Sequence, residues 1–103
     1  MMLGFGKPKS KVDAALGAMD DTITHAADKW RYFCDNVPYR TEVGLADRIG
    51  AFSVPFNEGA RKHIPELQNA PDGLLLMIIA LGVEKSGTHS RIEIERALGV
   101  SLP

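Results

Sequence analysis

The stretch from Leu74 to Val83 constrains the fold of this chain more than any other part of the sequence. It reads LLLMIIALGV, contains no charged residue and is apolar at every position except Gly82. A helix that is apolar on every side must be buried on every side, and this stretch is far shorter than the roughly 20 residues of a membrane span. We therefore predict a central helix, at about residues 71–86, with the other helices packed around it.

The length of 103 residues corresponds to one domain. We expect a flexible N-terminal leader over residues 1–9, where Gly4, Gly6 and Pro8 oppose regular structure, and a single helical domain over residues 10–103. The leader has no continuous apolar segment of the kind found in secretory signals. Cys34 is the only cysteine, so no disulfide can form within the chain. Both features favour a cytoplasmic location.

Residues 12–37 predict a long first helix, capped by Ser10 and ended by Pro38. On a helical wheel its apolar side chains fall within an arc of about 120°, and the opposite side is acidic. Such a helix would be about 40 Å long, whereas a globule of this size has a radius of gyration of about 13 Å. We therefore expect its end to project or to pack against a second copy of the chain. The apolar arc comprises Val12, Ala15, Leu16, Met19, Ile23, Ala26, Ala27, Trp30, Phe33, Cys34 and Val37.

Apolar residues at steps of three and four predict a second helix that begins after an N-cap at Thr41 and ends at Pro65. Pro55 lies inside this pattern. It either kinks one helix, or Ser53 caps a new helix that has Pro55 in its first turn. The chain therefore forms four or five helices. The apolar face comprises Leu45, Ile49, Phe52, Phe56, Ala60, His63 and Leu67.

Local signals also mark the ends of the last two helices. Ser90 and Glu93 have the spacing of a capping box, and Gly87 and Gly99 are suited to the residue that follows a helix. Gly82 would allow another helix to approach closely. Val100 and Leu102 can fold back onto the domain. We conclude that the fold is all-α, a small antiparallel helical bundle around the central helix.

Two groups of histidine-containing residues are candidates for binding. Asp21, His25 and Asp28 share one strip of the first helix, as metal ligands would. None of the usual zinc spacings is present and a solvated acidic face explains the strip equally well, so we predict no metal and keep these three as the candidate ligands. His63 lies in the apolar face of the second helix. We expect a core histidine with satisfied ring nitrogens, and a pocket residue is the alternative.

Aromatic side chains gather at the end of the first helix. Trp30 and Phe33 fall on its apolar arc, whereas Tyr32 lies off it, and Tyr39 follows the helix. Exposed aromatic residues are frequent anchors of protein interfaces. Trp30, Tyr32 and Tyr39 are therefore the candidate interface residues.

Three functions remain open at this stage. The first is a protein–protein interaction or regulatory module that acts as a homodimer, because net charge −1 leaves little repulsion against self-association. The second is a ligand-binding or metal-binding module, or a minor enzyme, built on His63 or the Asp21–His25–Asp28 strip. The third is DNA binding by the C-terminal helices, although Glu93 and Glu95 offset the arginines of the last helix. No catalytic or nucleotide-binding motif is present, so we predict no catalytic residue and no cofactor.

Overall fold

The computed structural model describes residues 19–38 and 44–103. Within these ranges the chain folds into four α-helices and one 3₁₀ turn, and no β-strand is formed. The predicted all-α bundle is confirmed. The helices are α1 (Asp20–Asn36), α2 (Leu45–His63), α3 (Asp72–Ser86) and α4 (Arg91–Leu98), and the 3₁₀ turn is Pro65–Leu67.

Helix α3 forms the centre of the bundle, as its all-round apolar sequence requires. No residue from Leu74 to Val83 is exposed. Leu75, Ile78, Ile79 and Val83 are completely buried. The predicted central helix is therefore confirmed, and the helix begins one residue later than predicted. Among the described residues, no helix combines the length and the apolarity needed to cross a lipid bilayer.

Helix α1 packs on α3 more extensively than any other pair of helices does. The two backbones approach closely because small residues face each other. A Cβ atom built on Gly82 would lie 2.7 Å from the Cβ of Ala26 and 3.1 Å from the backbone nitrogen of Ala27. The indole N–H of Trp30 also donates a hydrogen bond to the Thr88 hydroxyl, 2.8 Å away, just beyond α3. The close approach predicted for Gly82 is confirmed.

Helix α2 lies against α1 through large aromatic side chains. The ring of Phe52 on α2 is 5.3 Å from Trp30 and 5.6 Å from Phe33, measured between centroids. Large side chains at a helix contact hold the two helix axes further apart than small ones do. The α1–α2 contact is therefore looser than the α1–α3 contact and leaves room between the helices.

The local signals for the helix ends are borne out. The Ser90–Glu93 capping box is complete, and Gly87 and Gly99 adopt the left-handed conformation with φ of 80° and 66°. Leu102 folds back and is buried in the core. Its backbone N–H donates to a carboxylate oxygen of Glu95 over 2.7 Å.

One prediction about α2 is wrong. The helix begins at Leu45 with Gly44 at the N-cap position, not after Thr41. Of the two alternatives at Pro55, the structure has a single helix that continues through this residue. Ser53 does not cap a new helix, because its hydroxyl donates to the Gly50 carbonyl over 2.8 Å. The leader over residues 1–9, the Ser10 cap, the first-helix residues before Met19, and Tyr39 lie outside the described residues.

Candidate functional site

An apolar groove of about 700 Å³ lies between α1 and α2. It forms where the aromatic contacts keep the two helices apart. Each helix contributes one face, and the residues directly after them, Val37 and Ile64, also line it. The groove is therefore a product of how α1 and α2 are placed on α3, and it lies outside the central core.

Helix α1 supplies the polar edge of the groove. Its lining side chains include His25, Lys29, Tyr32 and Asn36. Their spacing of four, three and four residues puts them on one strip of the helix. Tyr32 is 68% exposed. This strip borders the arc that packs on the core, so apolar and polar surfaces meet along the groove.

Helix α2 supplies most of the apolar wall. Phe52, Phe56, Gly59 and His63 line the groove with the same spacing of four, three and four residues. Gly59 opens the groove, because a Cβ atom at this position would meet no other atom within 4 Å. The lack of a side chain there leaves space that any larger residue would partly fill.

The floor of the groove is a row of aromatic rings. Phe52 lies 5.4 Å from Phe56 in a stacked arrangement and 5.6 Å from Phe33 in an edge-to-face arrangement. Such contacts favour particular ring orientations. Phe52 and Phe56 are buried and Phe33 is half-buried. The floor is therefore a preformed apolar surface, with little of each ring open to solvent.

Arg48 joins the two helices at one end of the groove. It is 5% exposed, and its guanidinium donates to the carbonyl oxygens of Val37 at 2.7 Å and Pro38 at 3.2 Å. The guanidinium carbon also lies 5.2 Å from the ring centre of Phe33, within range of a cation–π interaction. Arg48 therefore ties the segment after α1 to α2 and holds the floor ring Phe33 in place.

Both histidines considered in the sequence analysis line this groove. His63 is exposed, so the expectation that it is a core residue is wrong, and its position agrees with the pocket alternative. His25 lies on the opposite side, with its ring 6.2 Å from Phe56. Sequence reasoning assigned the two residues to separate hypotheses, and the fold brings them to the same surface.

The candidate metal ligands are not brought together into a site. Asp21, His25 and Asp28 are exposed on α1, and Asp28 pairs with Arg31 over 2.9 Å. In the part of the chain that the structure describes, no three histidine, cysteine, aspartate or glutamate side chains lie close enough to hold a metal ion. Asp21 and Asp28 therefore lie on a solvated helix face, whereas His25 lines the groove.

The candidate interface residues have different outcomes. Trp30 is completely buried, so its assignment as a surface anchor is wrong. Its place on the apolar arc already indicated burial. Tyr32 is largely exposed and borders the groove, as an anchor would. Tyr39 lies outside the described residues.

Sequence reasoning missed Lys29, Asn36 and Gly59 as lining residues. The sequence pattern could have indicated them, since each lies at helical spacing in a strip of residues beside the apolar face of its helix. That signal could not be used before the packing was known, because most such strips on amphipathic helices simply face solvent.

Comparison with protein-family models, with curated proteins and with solved structures finds no match to this chain. The case for function therefore rests on the geometry of the groove and the chemistry of its lining.

Proposed function

We propose that this protein is a binding module and that the groove between α1 and α2 holds a small apolar or amphiphilic molecule. The observation that carries the proposal is the groove itself, with a volume of about 700 Å³ and an aromatic floor. Small-molecule sites in proteins have volumes of about 300–1,000 Å³ and are mostly apolar, with a few polar groups that orient the ligand.

The lining has the composition that such a site requires. Phe33, Phe52 and Phe56 form an apolar surface, and the rim carries an amide, a phenol, an amine and two imidazoles. The floor rings contact one another and Arg48 fixes the end of the groove. A preformed site of this kind binds at a low cost in conformational entropy.

Gly59 and Gly50 provide a matched pair of variants for testing this proposal. Both lie in α2, and a Cβ atom meets nothing within 4 Å at either position, but only Gly59 lines the groove. Gly59→Leu places an isobutyl group in the groove, whereas Gly50→Leu places it in solvent. Both changes improve helix propensity by about 0.5–1 kcal/mol, so both proteins should fold.

The measurement is titration of each protein with the neutral apolar dye Nile red, followed by fluorescence. We expect the wild type and Gly50→Leu to bind with affinities within about twofold of each other. We expect Gly59→Leu to bind at least about tenfold more weakly, equivalent to about 1.4 kcal/mol. Equal binding by the two variants, or no binding by the wild type, would contradict the proposal.

A homodimeric interaction or regulatory module is the second candidate, and the exposure of Tyr32 supports it. A tyrosine that is 68% exposed at the edge of an apolar groove is a suitable interface anchor. A two-fold dimer would bury the same surface on both copies. This candidate predicts a dimer by light scattering at about 100 μM and a monomer for Tyr32→Ser. A monomeric wild type at that concentration would remove it.

The third candidate, DNA binding, has the least support. The guanidinium of Arg91 in the last helix already pairs with the Glu84 carboxylate at 2.8 Å and 2.9 Å and donates to the carbonyl oxygens of Leu102 and Pro103. It is therefore not free to bind a phosphate.

For location we keep the cytoplasm as a proposal, supported by the single cysteine.

A further inference from the structure

The lysine and histidine side chains that line the groove are basic. Lys29, His25 and His63 line it, and among the residues that the structure describes no aspartate or glutamate does so. The whole chain has 12 lysines and arginines against 13 acidic residues, so the bias belongs to the groove and does not reflect the general composition. Lysine carries a positive charge at neutral pH, and histidine can accept a proton in the physiological range.

The acidic residue next to Lys29 in the sequence already has a partner. Asp28, the neighbour of Lys29, forms a salt bridge with Arg31 over 2.9 Å. The ammonium group of Lys29 forms no salt bridge or hydrogen bond with the described residues, whereas that of Lys85 reaches Asp20 and Thr24. The ammonium group of Lys29 is therefore available to an anion bound in the groove.

We propose that the ligand of the groove is an anionic amphiphile, a fatty carboxylate whose hydrocarbon chain lies on the aromatic floor and whose carboxylate lies at the Lys29 edge. This inference rests on the proposed function, because it names the ligand class of the same groove. The chain would contact Phe33, Phe52 and Phe56. The head group would remain at the open rim, where a carboxylate keeps much of its hydration.

The expected preference for the anion is modest because the rim is open to solvent. Exposed ion pairs contribute little and are screened by salt. We therefore expect the carboxylate to bind about fivefold more tightly than a neutral molecule with the same chain at low ionic strength. Most of the affinity should come from the apolar chain, since burial of each methylene group is favourable.

The test compares three probes with the same ten-carbon chain, decanoate, 1-decanol and decylammonium, by displacement of Nile red at low ionic strength. Decanoate should displace the dye at the lowest concentration and decylammonium at the highest. Lys29→Glu should abolish the preference for decanoate. Lys62→Glu, which makes the same change of charge at an exposed α2 residue outside the groove lining, should retain it.

The outcomes separate this inference from the proposed function. Equal displacement by decanoate and 1-decanol, a preference for decylammonium, or a preference that survives in Lys29→Glu would each overturn the anionic ligand while leaving the groove as a binding site. The anionic ligand would also be overturned if Nile red bound the wild type but not Gly59→Leu and none of the three probes displaced it from the wild type. If the wild type did not bind the dye, or if Gly59→Leu bound it as well as Gly50→Leu did, the proposed function and this inference would both be overturned.

Discussion

Gly82 is the residue that sets the distance between α1 and α3. A methyl group at this position would lie 2.7 Å from the Ala26 side chain and within 3.2 Å of the α1 backbone. Backbone atoms cannot move aside as a flexible side chain can. Overpacking of this kind destabilises proteins by about 1–3 kcal/mol. Because Gly82 has no side chain, α1 can pack closely on α3. The position of α1, which forms one wall of the groove, therefore depends on Gly82.

We predict that Gly82→Ala lowers the free energy of unfolding by about 1–3 kcal/mol, measured by urea denaturation. The control is Gly73→Ala in the same helix, where a Cβ atom meets nothing within 4 Å. It should be neutral or stabilising by up to about 1 kcal/mol, because alanine has the higher helix propensity. If Gly82→Ala were as stable as Gly73→Ala, the close approach of α1 and α3 would be contradicted.

Single residues differ in how far the sequence reveals their role. A glycine within an apolar helix indicates close packing, and Gly82 was predicted on that basis. His63 was expected in the core, because its position continues the apolar face of α2. In the structure it is exposed, since none of the elements within residues 19–38 and 44–103 covers its side chain. Whether a surface is covered depends on distant parts of the chain, so local spacing could not reveal it.

Helix α4 depends on its cap more than the other helices do. It has only eight residues, and a helix this short is not stable in isolation. The Ser90 hydroxyl accepts the Glu93 N–H at 3.2 Å, and the Ser90 N–H donates to the Glu93 carboxylate at 2.9 Å. The pKa of Glu93 is lowered from its ordinary value of 4.5, because the Ser90 backbone N–H, and after it the Ser90 hydroxyl, donates to the carboxylate.

This cap predicts a contribution to acid sensitivity. Because the pKa of Glu93 is lower in the folded protein than in the unfolded chain, its contribution to stability is present above the unfolded value of 4.5 and is lost as the pH falls through the folded value. Glu93→Gln removes the ionisable group. We therefore expect this variant to lose less stability than the wild type between about pH 5 and pH 3, measured by thermal unfolding.

The control for this experiment is Glu58→Gln. Glu58 is exposed on α2, and its carboxylate forms no hydrogen bond with the described residues. Between about pH 5 and pH 3, Glu58→Gln should lose an amount of stability closer to the wild-type loss than Glu93→Gln does. A Glu93→Gln variant with the same acid sensitivity as the wild type would show that the cap hydrogen bonds do not favour the charged carboxylate.

Helix ends governed by local chemistry were predictable, whereas others were not. The capping box at Ser90 and the left-handed glycines after α3 and α4 depend on a few neighbouring residues. The start of α2 was placed three residues too early, because Thr41 is a good N-cap by type although the helix starts after Gly44. Pro55 neither ends nor divides α2. Packing of the residues on both sides of Pro55 maintains the helix despite the missing N–H.

At the scale of the whole molecule, the central helix was evident from the sequence and the groove was not. Ten residues without charge between Leu74 and Val83 allow only a buried position. The groove, in contrast, exists because small residues bring α1 close to α3 while aromatic rings hold α2 away from α1. Helical periodicity identifies which face of a helix is apolar, but it does not give the distance between two such faces.

The most direct test of the account is to locate a bound apolar molecule by NMR. Intermolecular nuclear Overhauser effects would be measured between the methylene protons of 1-decanol and assigned side chains of the wild type. We expect contacts to Phe33, Phe56 and Pro55 in the groove. Contacts confined to exposed apolar residues elsewhere, such as Ile92 on α4, or no contacts at all, would contradict the claim that the groove between α1 and α2 is a binding site.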